Sequence, residues 1–171
     1  MLTLLLSLLL PLLVLVLPAT ALDTSAGVGL QDRALFQETV DFTLTNQDSG
    51  DFHGQNLANT SFAGAVGRRA DFSGANLHGA ILTQGAFAEA DFRGADLSDA
   101  LMDRADFSGA DLRDAVLSGI IASGSSFSGA QIDGADFSDA LLDRDDQRRL
   151  CREADGINPA TGVATLDSLG C

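Results

Sequence analysis

"ADFRGADLSDALMDRADFSGADL", residues 90–112, returns a small residue, then usually Asp, then Phe or Leu every five positions. An α-helix repeats at about 3.6 residues and a strand at about 2.0. The spacing is therefore not the amphipathicity of one element, and the five-residue unit must itself be the structural repeat.

The register extends well beyond that stretch. Every fifth residue from Phe42 to Leu142 is large and apolar in 18 of 21 units, the exceptions being Gln47, Gly67 and Ala122. Nine of the ten Phe lie on this comb. Two residues before each large position runs a second comb of small residues, which is Ala in nearly every unit from Ala65 to Ala140. Positions two apart in a short extended segment share a face, so both combs are expected to point inward. Asp, Ser, Gly and Arg at the other three positions face water or turn the chain.

A unit that buries one large and one small side chain has no core of its own, so units must stack into an all-β solenoid. These residues resemble the pentapeptide-repeat family, with its Ala-Asp/Asn-Leu/Phe-x-x consensus, over about 105 residues from Val40 to Arg144. The resemblance implies a right-handed quadrilateral β-helix in which four units make a coil. Twenty-one units then give about five coils and a rod on the order of 25 Å long. Asp or Asn before the large residue suits a turn, since its short side chain can accept from nearby backbone amides.

Ends of a solenoid expose strand edges that need capping. "DRDDQRRLCREADG", residues 143–156, is expected to form a C-terminal α-helical cap, started by Asp143 or Asp145 and stopped by Gly156. Arg148, Arg149 and Arg152 fall toward its negative end. "LQDRALFQETV", residues 30–40, is the candidate N-terminal cap. The expected divisions are residues 1–21, 22–39 for the N-terminal segment, 40–144 for the repeats, and 145–171 for the helix and tail.

The first division, "MLTLLLSLLLPLLVLVLPATA", is apolar from Leu4 to Leu17 and ends in the small-x-small pattern of a signal peptidase site, although it lacks a basic start. It is read as a cleaved signal peptide, with an uncleaved anchor as the other reading; the run is short for a span and Pro11 interrupts it. Export gives Cys151 and Cys171 an oxidising compartment. A bridge between them would contribute roughly 3 kcal/mol by restricting the unfolded chain; two free thiols are the alternative. The tail, with Gly-x-Asn-Pro-x-Thr-Gly and terminal Ser-Leu-Gly-Cys, resembles the exported members of the family in photosynthetic organisms, including those of the plant thylakoid lumen. That resemblance implies the thylakoid lumen or the periplasm.

The net charge is −14, and all ten basic residues are Arg. Such a balance argues against nucleic acid or an anionic membrane as a partner. His53 and His78 fall on outward positions and read as surface residues, no motif for nucleotide or metal chemistry is present, and neither enzyme activity nor a cofactor is expected. Asp51, Asp71, Asp91 and Asp111 stand one coil apart, beside His53, Ser73, Arg93 and Arg113. They read as turn-bonded Asp with partial Arg pairing, or else as a site for a cation or basic partner.

Four units depart from the polar rule. Where others carry Asp or Asn they carry Ile81, Leu101, Ile121 and Leu141, one coil apart, so one side should present an outward apolar column. Such a patch normally has a cover: the chain's own tail with Val163, Leu166 and Leu169, a second copy, or another protein. The expected function is a non-enzymatic exported structural or protein-interaction module, monomeric unless this face self-associates. The alternative is that of the family's acidic DNA-mimic rods, which bind DNA gyrase.

Overall fold

The computed structural model describes residues 40–171, so the signal-peptide reading and the N-terminal cap lie outside the described residues. From Asp41 to Leu141 the backbone is a solenoid in which every parallel bridge joins residues 20 apart. Asp41, Ser61, Ile81, Leu101, Ile121 and Leu141 make one such line, climbing five coils. Three more lines begin at Asn46, Asp51 and Asn56, so each coil has four sides of five residues.

The period of five follows from the turn that ends each side. The amide of the small residue donates to the carbonyl of the large residue three before it, as in Ala95 N–H to Phe92 O at 3.0 Å. The fourth residue of the unit then takes positive φ. Glycine fills that place in half of the turns; Arg69, Gln84, Glu89, Asp99, Arg104, Asp114 and Asp139 are among the others. A side chain there costs about 1 kcal/mol or more, which the ladder on either side must offset. Gly94 isolates that cost, because a Cβ built on it would meet nothing within 4 Å. Gly94→Ala is therefore expected to destabilise by about 1 kcal/mol through φ alone. Chemical denaturation measures it, and no change would mean that the turn relaxes to negative φ.

The acidic residue opening each unit reinforces the turn. Asp71, Asp96, Asp106 and Asp136 each accept, through Oδ1, the backbone N–H two residues on and a serine hydroxyl beside it. Burial pushes the Asp136 carboxyl up, but hydrogen bonds from Ser138 and Thr161 outweigh it and hold the group below the ordinary Asp range.

Both combs point inward. Phe62, Phe72, Phe87, Phe92 and Phe107 are fully buried, as are Ala70, Ala80, Ala90 and Ala100 on the small comb. Phe52, Phe72 and Phe92 stack coil upon coil at 4.7 and 4.8 Å between ring centroids. Two breaks in the large comb are filled by neighbours. A Cβ at Gly67 would lie 3.0 Å from the Phe87 ring of the next coil, which leans over it. Ala122 is preceded by Ile120, a large residue in a small place, and both are buried.

Helix α1, Arg144–Leu150, follows the last bridge and buries Leu150. It ends earlier than the expected stop at Gly156, and Arg152 lies beyond it, donating back to Arg148 O. The side chain of Asp143 does not cap it; its Oδ2 instead accepts Gly124 N–H of the last coil. The tail then forms a short hairpin joined at Ile157 and Ala164, and helix α2, Thr165–Ser168.

This segment completes the ladder where coils run out. Gly134 N–H donates to Asp155 O, as Asp114 N–H one coil below donates to Asp133 O. Phe137 N–H donates to Ser168 Oγ, where its counterpart Leu117 N–H donates to Asp136 O. Asn158, fully buried, donates through Nδ2 to the carbonyls of Asp114, Ala115 and Gly134, and accepts Ala160 and Thr161 N–H through Oδ1. Cys151, just after α1, is joined to Cys171 with an S–S distance of 2.07 Å.

Candidate interaction face

The column foreseen at Ile81, Leu101, Ile121 and Leu141 is assembled by direct pairing, since each bridges the next. The ladder fixes their spacing, and the outward place in the unit fixes their direction. Leu101 is 36% exposed and Leu141 58% exposed, while Ile81 and Ile121 are half-buried. The tail does not cover them. Its hydrogen bonds fall on residues 114, 115, 134, 137 and 147, on the last two coils and against α1. Of the three apolar residues expected in such a cover, Leu169 enters the core, Val163 is half-buried and Leu166 is 46% exposed. The tail's amides and carbonyls are used to finish the ladder, which draws it to the end of the stack instead of along a side.

Each column residue stands between two turns. Before Leu101 comes the turn closed by Ala100 N–H to Leu97 O, carrying Ser98 and Asp99; after it comes the turn closed by Ala105 N–H to Met102 O, carrying Asp103 and Arg104. These turns repeat from coil to coil, as Asp99 N–H donates to Ser118 O and Arg104 N–H to Ser123 O. The apolar column therefore runs between two ridges of exposed turn residues.

The acidic column lies on a different side, along Asp51, Asp71, Asp91, Asp111 and Gln131. Its upper part is paired: Arg93 reaches Asp91 at 2.5 Å and Asp111 at 3.6 Å, and Arg113 reaches Asp111 at 2.5 Å. The hydrogen bond from Arg93 holds the Asp91 carboxyl below its usual range, against the opposing effect of burial. Asp91 therefore adds stability above the ordinary Asp pKa, which is lost as pH falls through its own lower value. Asp71 is satisfied by Ser73, and Asp51 by the His53 amide. Both histidines are exposed, with Nδ1 against Ser73 Oγ for His53 and Ser98 Oγ for His78. Among the described residues no cluster of three or more His, Cys, Asp or Glu is arranged to hold a metal ion. No helix among them is long and apolar enough to cross a membrane.

The two inward combs, the acid-opened turns and the 20-residue ladder define a solenoid of five-residue repeats. The chain belongs to the pentapeptide repeat family, whose profile matches in 8 copies across residues 51–84, 86–119 and 110–144. It is similar to a pentapeptide repeat protein from the Arabidopsis thaliana thylakoid lumen, at 38% identity over 77% of this chain and 84% of that one, with a TM-score of 0.28. It is also similar to HetL, involved in heterocyst differentiation regulation in the cyanobacterium Nostoc, at 26% identity over 60% of this chain and 51% of that one, TM-score 0.39. Full-length QnrB1, a plasmid-mediated fluoroquinolone resistance protein, shares 14% identity over 67% of this chain and 84% of that one, TM-score 0.30. No curated protein matches.

The residue that sequence reasoning missed is Asn158. It was seen only as part of a tail motif, and nothing periodic marks it. Its signal was an Asn-Pro followed by a glycine turn after the last repeat.

Proposed function

We propose that this chain is an exported, non-enzymatic structural and protein-interaction module of the thylakoid lumen or periplasm, and that Ile81, Leu101, Ile121 and Leu141 form its interaction face. The observation that carries the reading is the exposed apolar ladder on one side, where the other three sides carry mostly Asp, Asn, Ser or Gln at the same position. Contiguous apolar surface on a rigid support marks a place that another molecule covers. The same reading takes the solenoid as a right-handed quadrilateral β-helix and α1 with the tail as its C-terminal cap, supported by the burial of Leu150 and Leu169. The leader-like residues 1–21 and the Cys151–Cys171 bridge support export.

The test is the double variant Leu101→Ser/Ile121→Ser. Unchanged melting temperature with lost self-association or lost partner recovery is expected. A variant that alters neither stability, oligomeric state nor partner recovery would remove the face from consideration. Fusing residues 1–30 to a reporter tests the compartment separately; a cytoplasmic, uncleaved product would favour the gyrase-binding DNA mimic instead.

A further inference from the structure

We propose that the last rung of the ladder is a docking site for an extended peptide segment of another protein, which adds one parallel rung above Leu141 and places an apolar side chain in the cavity beside it. The site shares Leu141 with the interaction face but is derived from the open end of the ladder, so it does not rest on that reading.

The rung below shows what the next one needs. Leu141 pairs over Ile121 by donating its N–H to Ile120 O at 2.8 Å and accepting Ala122 N–H at 3.0 Å. One rung higher the corresponding groups are Ala140 O and Leu142 N–H, and neither has a partner among the described residues. The same holds for Asp139 N–H, whose counterpart Gly119 N–H donates to Ser138 O at 2.8 Å. The tail finishes the ladder at Gly134 and Phe137 and stops short of this side. Phe127 and Ile132 N–H also lack a partner among the described residues, but those residues are 4% and 2% exposed and closed to another chain. Ala140 and Leu142 are half-buried and line a cavity of about 250 Å³ between the last repeat, α1 and α2. Backbone groups screened from water are nearly always paired, and here a pairing chain has room to enter.

The chemistry of the occupant follows from the register. An acceptor and a donor that flank one residue of an edge are met by one residue of a parallel extended chain, through its own N–H and C=O. The side chain of that residue falls in line above Leu141, which is 58% exposed, so an apolar residue suits it. The next residue points inward above Leu142, into the cavity that Phe137 and Leu169 also line. That cavity is smaller than the roughly 300–1,000 Å³ of small-molecule sites and suits a single side chain. Two residues before the pairing residue the register reaches Asp139. Asp139 and Asp167 are the charged residues of the lining; both are exposed, and neither is in an ion pair among the described residues. Of the nearby bases on α1, Arg148 is held by Asp145, and neither Arg144 nor Arg148 lines the cavity. A basic residue two places before the pairing residue is therefore favoured.

The probe is the peptide acetyl-Gly-Lys-Ala-Leu-Leu-Ser-amide, titrated into the isotope-labelled full chain and followed by amide NMR. Binding with Kd roughly 0.1–1 mM is expected for so small a contact, with shifts centred on residues 139–142 and slower hydrogen exchange at Leu142 N–H. Methylating the nitrogen of the first peptide Leu removes the donor to Ala140 O and should weaken binding about tenfold or more. Equal binding of the methylated peptide would show that the backbone is not paired and would overturn the proposal. Exchanging the peptide Lys for Glu should weaken binding several-fold, and Asp139→Arg, at a turn place that Arg69 and Arg104 already occupy elsewhere, should reverse that preference. No binding at about 5 mM peptide, or shifts centred on another side, overturns the site. Leu101→Ser/Ile121→Ser leaves residues 139–142 intact and should bind the peptide as the parent does, whether or not the apolar face has a partner. Loss of binding in that variant would assign the peptide to the face and overturn the ladder-end site.

Discussion

Phe92→Ala is expected to lower stability by about 3–5 kcal/mol, enough to remove a large part of the margin of an ordinary domain. The ring is fully buried and lies in the middle of the stack. It stacks on Phe72 at 4.8 Å and meets Phe87 and Phe107 edge-on at 6.0 and 5.7 Å. Alanine would leave a hole that cannot collapse. The backbone above and below is tied by hydrogen bonds such as Phe92 N–H to Asp111 O at 2.8 Å and Phe72 N–H to Asp91 O at 2.7 Å. Equilibrium denaturation of the variant measures the loss. A cost below about 1 kcal/mol would mean that the coil interior repacks and that the ladder does not hold the rings in place.

Asn158→Asp is expected to cost about 3–5 kcal/mol at neutral pH, although it changes shape hardly at all. Asparagine is the right residue because one amide serves both needs: Nδ2 donates to three carbonyls of the last two coils while Oδ1 accepts two amides of the tail. A carboxylate cannot donate, so it would face carbonyl oxygens across a site with no access to water. Its pKa would rise above that of free Asp, and the sign follows. The penalty is largest when the carboxylate is ionised and shrinks as pH falls through the raised value, where the protonated acid can again donate. Thermal melts of the variant and parent at two pH values measure this difference. Equal losses in acid and at neutral pH would show that charge against carbonyls is not the cause.

The core was largely legible in the sequence because its geometry is periodic. Once a unit of five was recognised, every buried Phe from Phe52 to Phe137 followed, as did the inward alanines and the coil partners 20 residues apart. Asp at the first position was readable for the same reason, since an Asx turn is a local contact between neighbours. The apolar column was legible as a break in that rule, and the ladder places its four residues in one line.

What was not legible depends on single contacts that repeat nowhere. The lean of Phe87 over Gly67 and the exchange of size between Ile120 and Ala122 are local repairs, visible only once the ring positions are known. The tail's path stayed open because hydrophobicity allowed a cover along the side, whereas amides such as those of Gly134 and Phe137, which no further coil would pair, decide for the end. The helix stops at Leu150, short of Gly156, and Cys151, which follows it, is bonded to Cys171. Side chains with φ > 0 at the fourth position, such as Glu89 and Arg104, contradict local preference and are imposed by the ladder.

The constant separation of 20 residues in every parallel bridge also bears on how the chain reaches this state. Closing a loop costs entropy that depends on its length, and here every rung of the ladder closes a loop of one length. Within the repeats no step has to bring more distant parts of the chain together, so a coil laid on an existing one meets the same barrier wherever it is added. Growth of this kind behaves as a zipper: the slow event is the first pair of coils, and the time to finish rises only in proportion to the number that follow.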